Sequence, residues 1–104
     1  MPAPGGPSIQ GFSERAFEDF ERVFELYAGD DPDLARAQVH AIMEAVAILA
    51  DHPLIGRLIK HGLRELAISR GKTGFVALYR FSPQSDFVRI LRIRHQRELG
   101  YPQG

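Results

Sequence analysis

The chain contains no cysteine, which excludes disulfides, thiolate metal sites and cysteine nucleophiles together. It also lacks any run approaching the ~18 apolar residues of a membrane span, and its start, Met1-Pro-Ala-Pro-Gly-Gly-Pro7, has neither the charged region nor the apolar core of a signal peptide. These absences lead us to expect a cytoplasmic protein with no membrane association. Phosphate loops are missing as well, since Gly71-Lys-Thr-Gly74 is too short for a Walker motif. His40, His52 and His61 have no metal-ligand spacing, so neither a metal nor a cofactor is expected.

Net charge is absent too: 13 Lys and Arg balance 13 Asp and Glu. That zero conceals a division along the chain. Residues 1–56 hold ten acids and three bases, whereas residues 57–104 hold three acids and ten bases. Three acids cannot neutralise ten bases, so the second half implies a polyanion or an acidic peptide as partner.

What is present is the composition of one globular domain: 104 residues, 44% hydrophobic and 25% charged. Residues 1–7, rich in Pro and Gly, read as a flexible N-terminus, and residues 8–104 as a single domain. Ser8 to Phe12 reads as a short edge strand. Ser13 is a helix N-cap, followed by Phe17, Phe20, Phe24 and Tyr27 on one helical stripe, with Gly29 at the end. Asp31-Pro32 starts a second helix that runs to Asp51, before Pro53. The short connection makes the two helices an antiparallel hairpin. The second helix is so uniformly apolar that part of the hairpin should remain exposed as a groove for an amphipathic helix.

Beyond Pro53 the pattern changes to strands at hairpin spacing: Leu63–Ser69, Phe75–Ser82 and Phe87 to His95, separated by turns at 70–74 and 83–86. The expected class is α+β, with a short N-terminal strand and a helical hairpin packed on a three- to four-stranded antiparallel sheet. Arg64 shares strand parity with Leu66 and Ile68, Arg80 with Val76 and Leu78, and Arg92 and Arg94 with Val88 and Ile90. In a regular meander these arginines gather on one sheet face, free for a carboxylate or phosphate. Taken singly, each reads better as a snorkelling arginine paired with Glu65 or Asp86; it is taken together that they point to a partner. His95, beside Arg94 and Arg97, is a candidate general acid or base, but neither Glu98 nor Tyr101 lies at a diagnostic spacing for the second proton-transfer group.

Several strings in this order resemble the RelE/ParE toxin superfamily, and its ParE or plasmid-stabilisation branch in particular. They are Phe12-Ser-Glu-Arg-Ala16, Pro53-Leu-Ile-Gly-Arg57, Leu63-Arg-Glu-Leu66, Gly74-Phe-Val-Ala-Leu-Tyr-Arg80 and Ile90-Leu-Arg-Ile-Arg-His-Gln-Arg-Glu98. The resemblance implies the toxin of a type II toxin–antitoxin pair, held in a hetero-oligomer by a ParD-like antitoxin whose acidic C-terminal segment wraps across hairpin and sheet. In the ParE branch the implied target is DNA gyrase, inhibited by protein contact without an enzymatic step. In the RelE branch it is messenger RNA, cut on the ribosome, and Arg64, Arg80 and His95 match that branch's catalytic positions approximately. For antitoxin or target binding the expected residues are Arg57, Arg64, Arg80, Arg92, Arg94 and His95, with Phe20, Phe24 and Tyr27 on the hairpin.

Overall fold

A computed structural model describes residues 9–70 and 73–95. The expected flexible N-terminus, the middle of the 70–74 turn, Glu98 and Tyr101 lie outside the described residues. In chain order the elements are β1 (Ile9–Phe12), α1 (Glu14–Ala28), α2 (Pro32–Asp51), β2 (Arg57–Lys60), β3 (Leu63–Arg70), β4 (Thr73–Ser82) and β5 (Phe87–His95). The sheet order is β1-β5-β4-β3-β2. β1 runs parallel to β5, and the other pairs are antiparallel. The sheet is therefore five-stranded and mixed, one strand wider than the upper expectation, because β2 was not legible as a strand.

Both helices start where their capping residues dictate. Ser13 Oγ accepts a hydrogen bond from the Ala16 N–H at 3.1 Å. Asp31 accepts from the Asp33 and Leu34 N–H groups at 3.0 and 3.3 Å, and Pro32 occupies the first helical turn. α2 buries Ala35, Gln38, Ile42, Val46 and Leu49 at helical spacing. Of these, Ile42, Val46 and Leu49 meet Ile68, Phe75, Ala77, Tyr79, Val88, Ile90 and Ile93 from the sheet in one core.

On α1 the buried stripe is Ala16, Asp19 and Val23. Phe20 and Tyr27 pack at its margin, while Phe17 and Phe24 are 58% and 37% exposed. The helix is thus rotated relative to the aromatic stripe read from the sequence, and the cause is a carboxylate. β1 pairs with β5 only as far as Ile90, so the β5 backbone beyond that point needs other partners. Ser13 N–H donates to Ile90 O at 2.9 Å, and Ser13 Oγ donates to Leu91 O at 2.8 Å. Asp19 accepts from Ile93 N–H at 2.8 Å. The start of α1 thereby continues the role of β1 along the β5 edge.

Candidate functional site

Strand pairing assigns each arginine to a face, since residues directly opposite one another point the same way. Arg64 pairs with Tyr79, whereas Arg80 pairs with Leu63. Tyr79 is in the core under the helices, so Arg64 lies on the helical face and Arg80 on the outer one. On β5, Tyr79 pairs with Ile90 but Leu78 pairs with Arg92, leaving Leu91 as a bulge. An extra residue reverses parity. Val88, Ile90, Ile93 and His95 consequently face the helices and Arg89 and Arg94 fall on the outer side, while Arg92, next to the bulge, turns to the Asp19 carboxylate of α1. The expected common face for Arg64, Arg80, Arg92 and Arg94 is corrected by this bulge and by the opposite phase of β3.

Each of these arginines has its own surroundings. Arg64 donates to Leu54 O at 3.2 Å and to Gly56 O at 2.8 Å, which makes it a support for the α2–β2 loop. Tyr79 holds the same loop from beneath: its hydroxyl accepts from Gly56 N–H and donates to Pro53 O, both at 2.8 Å. Burial pushes the Tyr79 phenol above its usual pKa. Arg57 pairs with Glu65 at 2.7 Å. Arg92 forks onto Asp19, Nε at 2.8 Å and a terminal nitrogen at 3.2 Å, and Arg22 reaches the same carboxylate at 3.3 Å. Burial alone would raise the pKa of Asp19, but the hydrogen bonds from Arg92 and Ile93 outweigh it and hold the carboxyl below its ordinary value.

Among the described residues, the outer face is left with Arg80, Arg89 and Arg94. Arg80 donates to His61 O and sits directly opposite Arg89 across the β4–β5 ladder, an arrangement of like charges that costs stability. Nε of Arg94 is buried and has no hydrogen-bond partner among the described residues. The carboxylate that pairing puts on this face, Glu65, is engaged with Arg57. Half-buried Leu63, Leu78 and Phe87 provide an apolar floor. Arg89 was missed by parity reasoning, because the bulge that aligns it with Arg94 has no mark in the local sequence.

His95 stacks edge-on against Phe75, ring centroids 5.2 Å apart, on the helical side. It does not meet the arginines of the ribonuclease reading. Phe75, which pairs with His95, is four strand positions from Tyr79, the partner of Arg64, or about 13 Å at ~3.3 Å per residue. Arg80 lies farther along and on the opposite face. Among the described residues no group of three or more His, Cys, Asp or Glu is arranged to hold a metal, and no helix is long and apolar enough to cross a membrane.

The second surface is a groove on the outside of the helical hairpin, lined by Phe24, Ala37, Val39 and Met43, with Arg36 and His40 at its rim. Of the hairpin aromatics expected to bind a partner, Phe24 lines this groove, whereas Phe20 and Tyr27 pack against the core.

The chain is similar to known proteins over most of its length. Residues 11–100 match the family described as ParE toxin of type II toxin-antitoxin system, parDE. Over 84 residues the chain is 34% identical to Toxin RelE3 of Caulobacter vibrioides, covering 81% of this chain and 89% of that protein. Among solved structures, the chromosomal ParDE system of P. aeruginosa superposes with a TM-score of 0.73 at 24% identity, over 88% of this chain and 98% of that one. The RelBE2 toxin-antitoxin complex of Mycobacterium tuberculosis gives a TM-score of 0.58 at 25% identity, over 86% of this chain and 98% of that one.

Proposed function

The chain belongs to the ParE toxin family of type II toxin–antitoxin systems, and from that premise we propose that it acts as a binding protein that inhibits DNA gyrase. The observation that carries this reading is the failure of Arg64, Arg80 and His95 to converge. General acid–base cleavage of RNA needs proton-transfer groups within ~3 Å of the reacting atoms. Here the candidate histidine is on the helical face and the arginines are divided between two faces. Inhibition by contact has no such requirement. It needs a displayed surface, and Arg80, Arg89 and Arg94 over an apolar floor supply one.

The antitoxin is proposed to neutralise the chain at two places. An amphipathic helix fills the Phe24–Val39–Met43 groove, and an acidic stretch reaches the outer arginines, giving the ionic component of recognition. Arg57, Arg64 and Arg92 are assigned an indirect part, since each is tied to a loop or carboxylate of this chain.

A second reading is a ribosome-dependent endoribonuclease, favoured by the relative named Toxin RelE3 and by outer arginines able to bind phosphate. Purified chain tested on gyrase separates the two. The proposal expects loss of supercoiling and accumulation of cleaved DNA, both reversed by antitoxin. Unimpaired supercoiling at stoichiometric excess would refute it.

A further inference from the structure

The strand registers place three cations in a single line across the sheet. Lys60 pairs with Leu63, Leu63 with Arg80, and Arg80 with Arg89. Directly paired residues point the same way, so Lys60 joins Arg80 and Arg89 on the outer face. All three are exposed, and half-buried Leu63 fills the place between Lys60 and Arg80. At ~4.8 Å per strand the line runs roughly 14 Å from Lys60 to Arg89.

This line has no counter-charge of its own. Among the described residues Lys60, Arg80 and Arg89 make no ion pair. Arg80 donates to the carbonyl of His61, the residue after Lys60, which keeps its guanidinium at the Lys60 end of the line. The acids lie elsewhere: all ten of residues 1–56 fall between Glu14 and Asp51, in the two helices and their connection, across the sheet from this face. A chain with zero net charge is thereby two-sided, and like charges set side by side in the ladder lower its stability unless an anion joins them.

We propose that the line is a binding site for the phosphate backbone of double-stranded DNA. Phosphates follow one another at ~3.4 Å of helix axis along one strand, so roughly 14 Å spans about four of them. Single strands are held chiefly by stacking on exposed aromatics, whereas the aromatic beside the line, Phe87, lies against Gly11, where a Cβ would come within 2.6 Å of its ring. Duplex RNA is recognised largely through its 2′-hydroxyls, and neither the line nor Gly11, which extends it beyond Arg89, offers a hydroxyl or amide side chain. An acidic peptide draws most of its affinity from apolar anchors in pockets, and Leu63 alone is a poor one. Counterion release from a duplex needs no anchor. The site goes beyond the gyrase reading, which requires no DNA contact by this chain, and an antitoxin stretch on Arg80 and Arg89 would be an alternative occupant.

The test is fluorescence anisotropy of a short labelled DNA duplex titrated with the purified full chain, without gyrase or antitoxin. At low salt the duplex is expected to bind irrespective of sequence, with log affinity falling against log salt at a slope of about −2.7 for three phosphate contacts. Lys60→Gln, Arg80→Gln and Arg89→Gln should each reduce the magnitude of that slope by about one. The triple variant should lose at least roughly tenfold in affinity at low salt while its urea midpoint stays level or rises. Arg15→Gln, which removes an exposed cation from α1, should change neither. No binding at low salt, or binding indifferent to the triple substitution, would overturn the proposal. So would duplex RNA bound at least roughly tenfold more tightly than DNA, or polyglutamate displacing the duplex as effectively as unlabelled DNA at equal charge, since the face would then belong to RNA or to an acidic peptide. Each of these results leaves inhibition of supercoiling untouched, so the gyrase reading stands or falls separately.

Discussion

Arg64 and Arg80 stand on opposite faces of one sheet, the first opposite Tyr79 and the second opposite Leu63. Sixteen positions apart in sequence and near neighbours in the ladder, they serve different ends. Arg64 braces the α2–β2 loop from the helical side, and Arg80 joins Arg89 on the outer surface. This division underlies the preference for contact over catalysis.

Arg89→Glu should separate stability from binding. The substitution replaces a like-charge pair with Arg80 by an opposite one, so the free chain should gain roughly 0.2–1 kcal/mol, read as a higher urea midpoint. Affinity for antitoxin should nevertheless fall, more at low salt than at high. If affinity is unchanged at low salt, the outer face is not an antitoxin surface.

Asp19→Asn tests the clamp between α1 and the β5 bulge. It removes the charge that Arg92 and Arg22 share while keeping the side-chain shape. We expect a loss of about 1–3 kcal/mol in urea unfolding, allowing for the partial exposure of both arginines. The wild-type chain should also show an acid dependence. A folded pKa below the unfolded one gives a contribution that is complete above the unfolded value, near 3.8, and is lost as pH falls through the folded value. Stability that falls equally in wild type and Asp19→Asn across this acid range would show that Asp19 is not its source.

Tyr79→Phe leaves the Gly56 N–H and Pro53 C=O without their shared hydroxyl, a cost of about 1–3 kcal/mol for buried groups. The same phenol, raised above its ordinary value, favours the neutral form. Its contribution is therefore intact below the unfolded value near 10 and declines as pH climbs through the folded value. Alkaline unfolding curves of wild type and variant should converge. Parallel curves would assign the alkaline loss to other groups.

Met43→Ala and Phe24→Ala address the hairpin groove. Both side chains are exposed and line it, so their removal should leave the unfolding midpoint nearly unchanged. Antitoxin affinity by calorimetry should drop at least roughly tenfold, the scale of an apolar anchor at an interface. Unaltered affinity in the double variant would place the antitoxin helix elsewhere.

The sequence made the helical hairpin and four of the strands, β1 among them, readable because their signals are local. Ser13, Asp31-Pro32 and Pro53 mark the helix limits where the structure has them, and turn residues separate β3, β4 and β5. The remainder depends on distant contacts. β2 is four residues long with every side chain exposed, so it carries no alternation between buried and open positions. The Leu91 bulge, which decides the faces of Arg89, Arg92 and Arg94, appears only when β5 is laid against β4. Asp19 turns inward for partners 73 and 74 residues away, and nothing in α1 itself distinguishes it from its exposed acidic neighbours. Family strings, in contrast, were readable throughout, which explains why kinship was clearer than the site.

The central claim, contact with gyrase without cleavage of RNA, is tested most directly by assaying one purified preparation for both activities, with His95→Ala in parallel. The account predicts that wild type and His95→Ala block supercoiling equally, and that neither creates new 5′ ends in a translated message. Message cleavage by wild type that is lost in His95→Ala, with supercoiling unaffected by either protein, would contradict it.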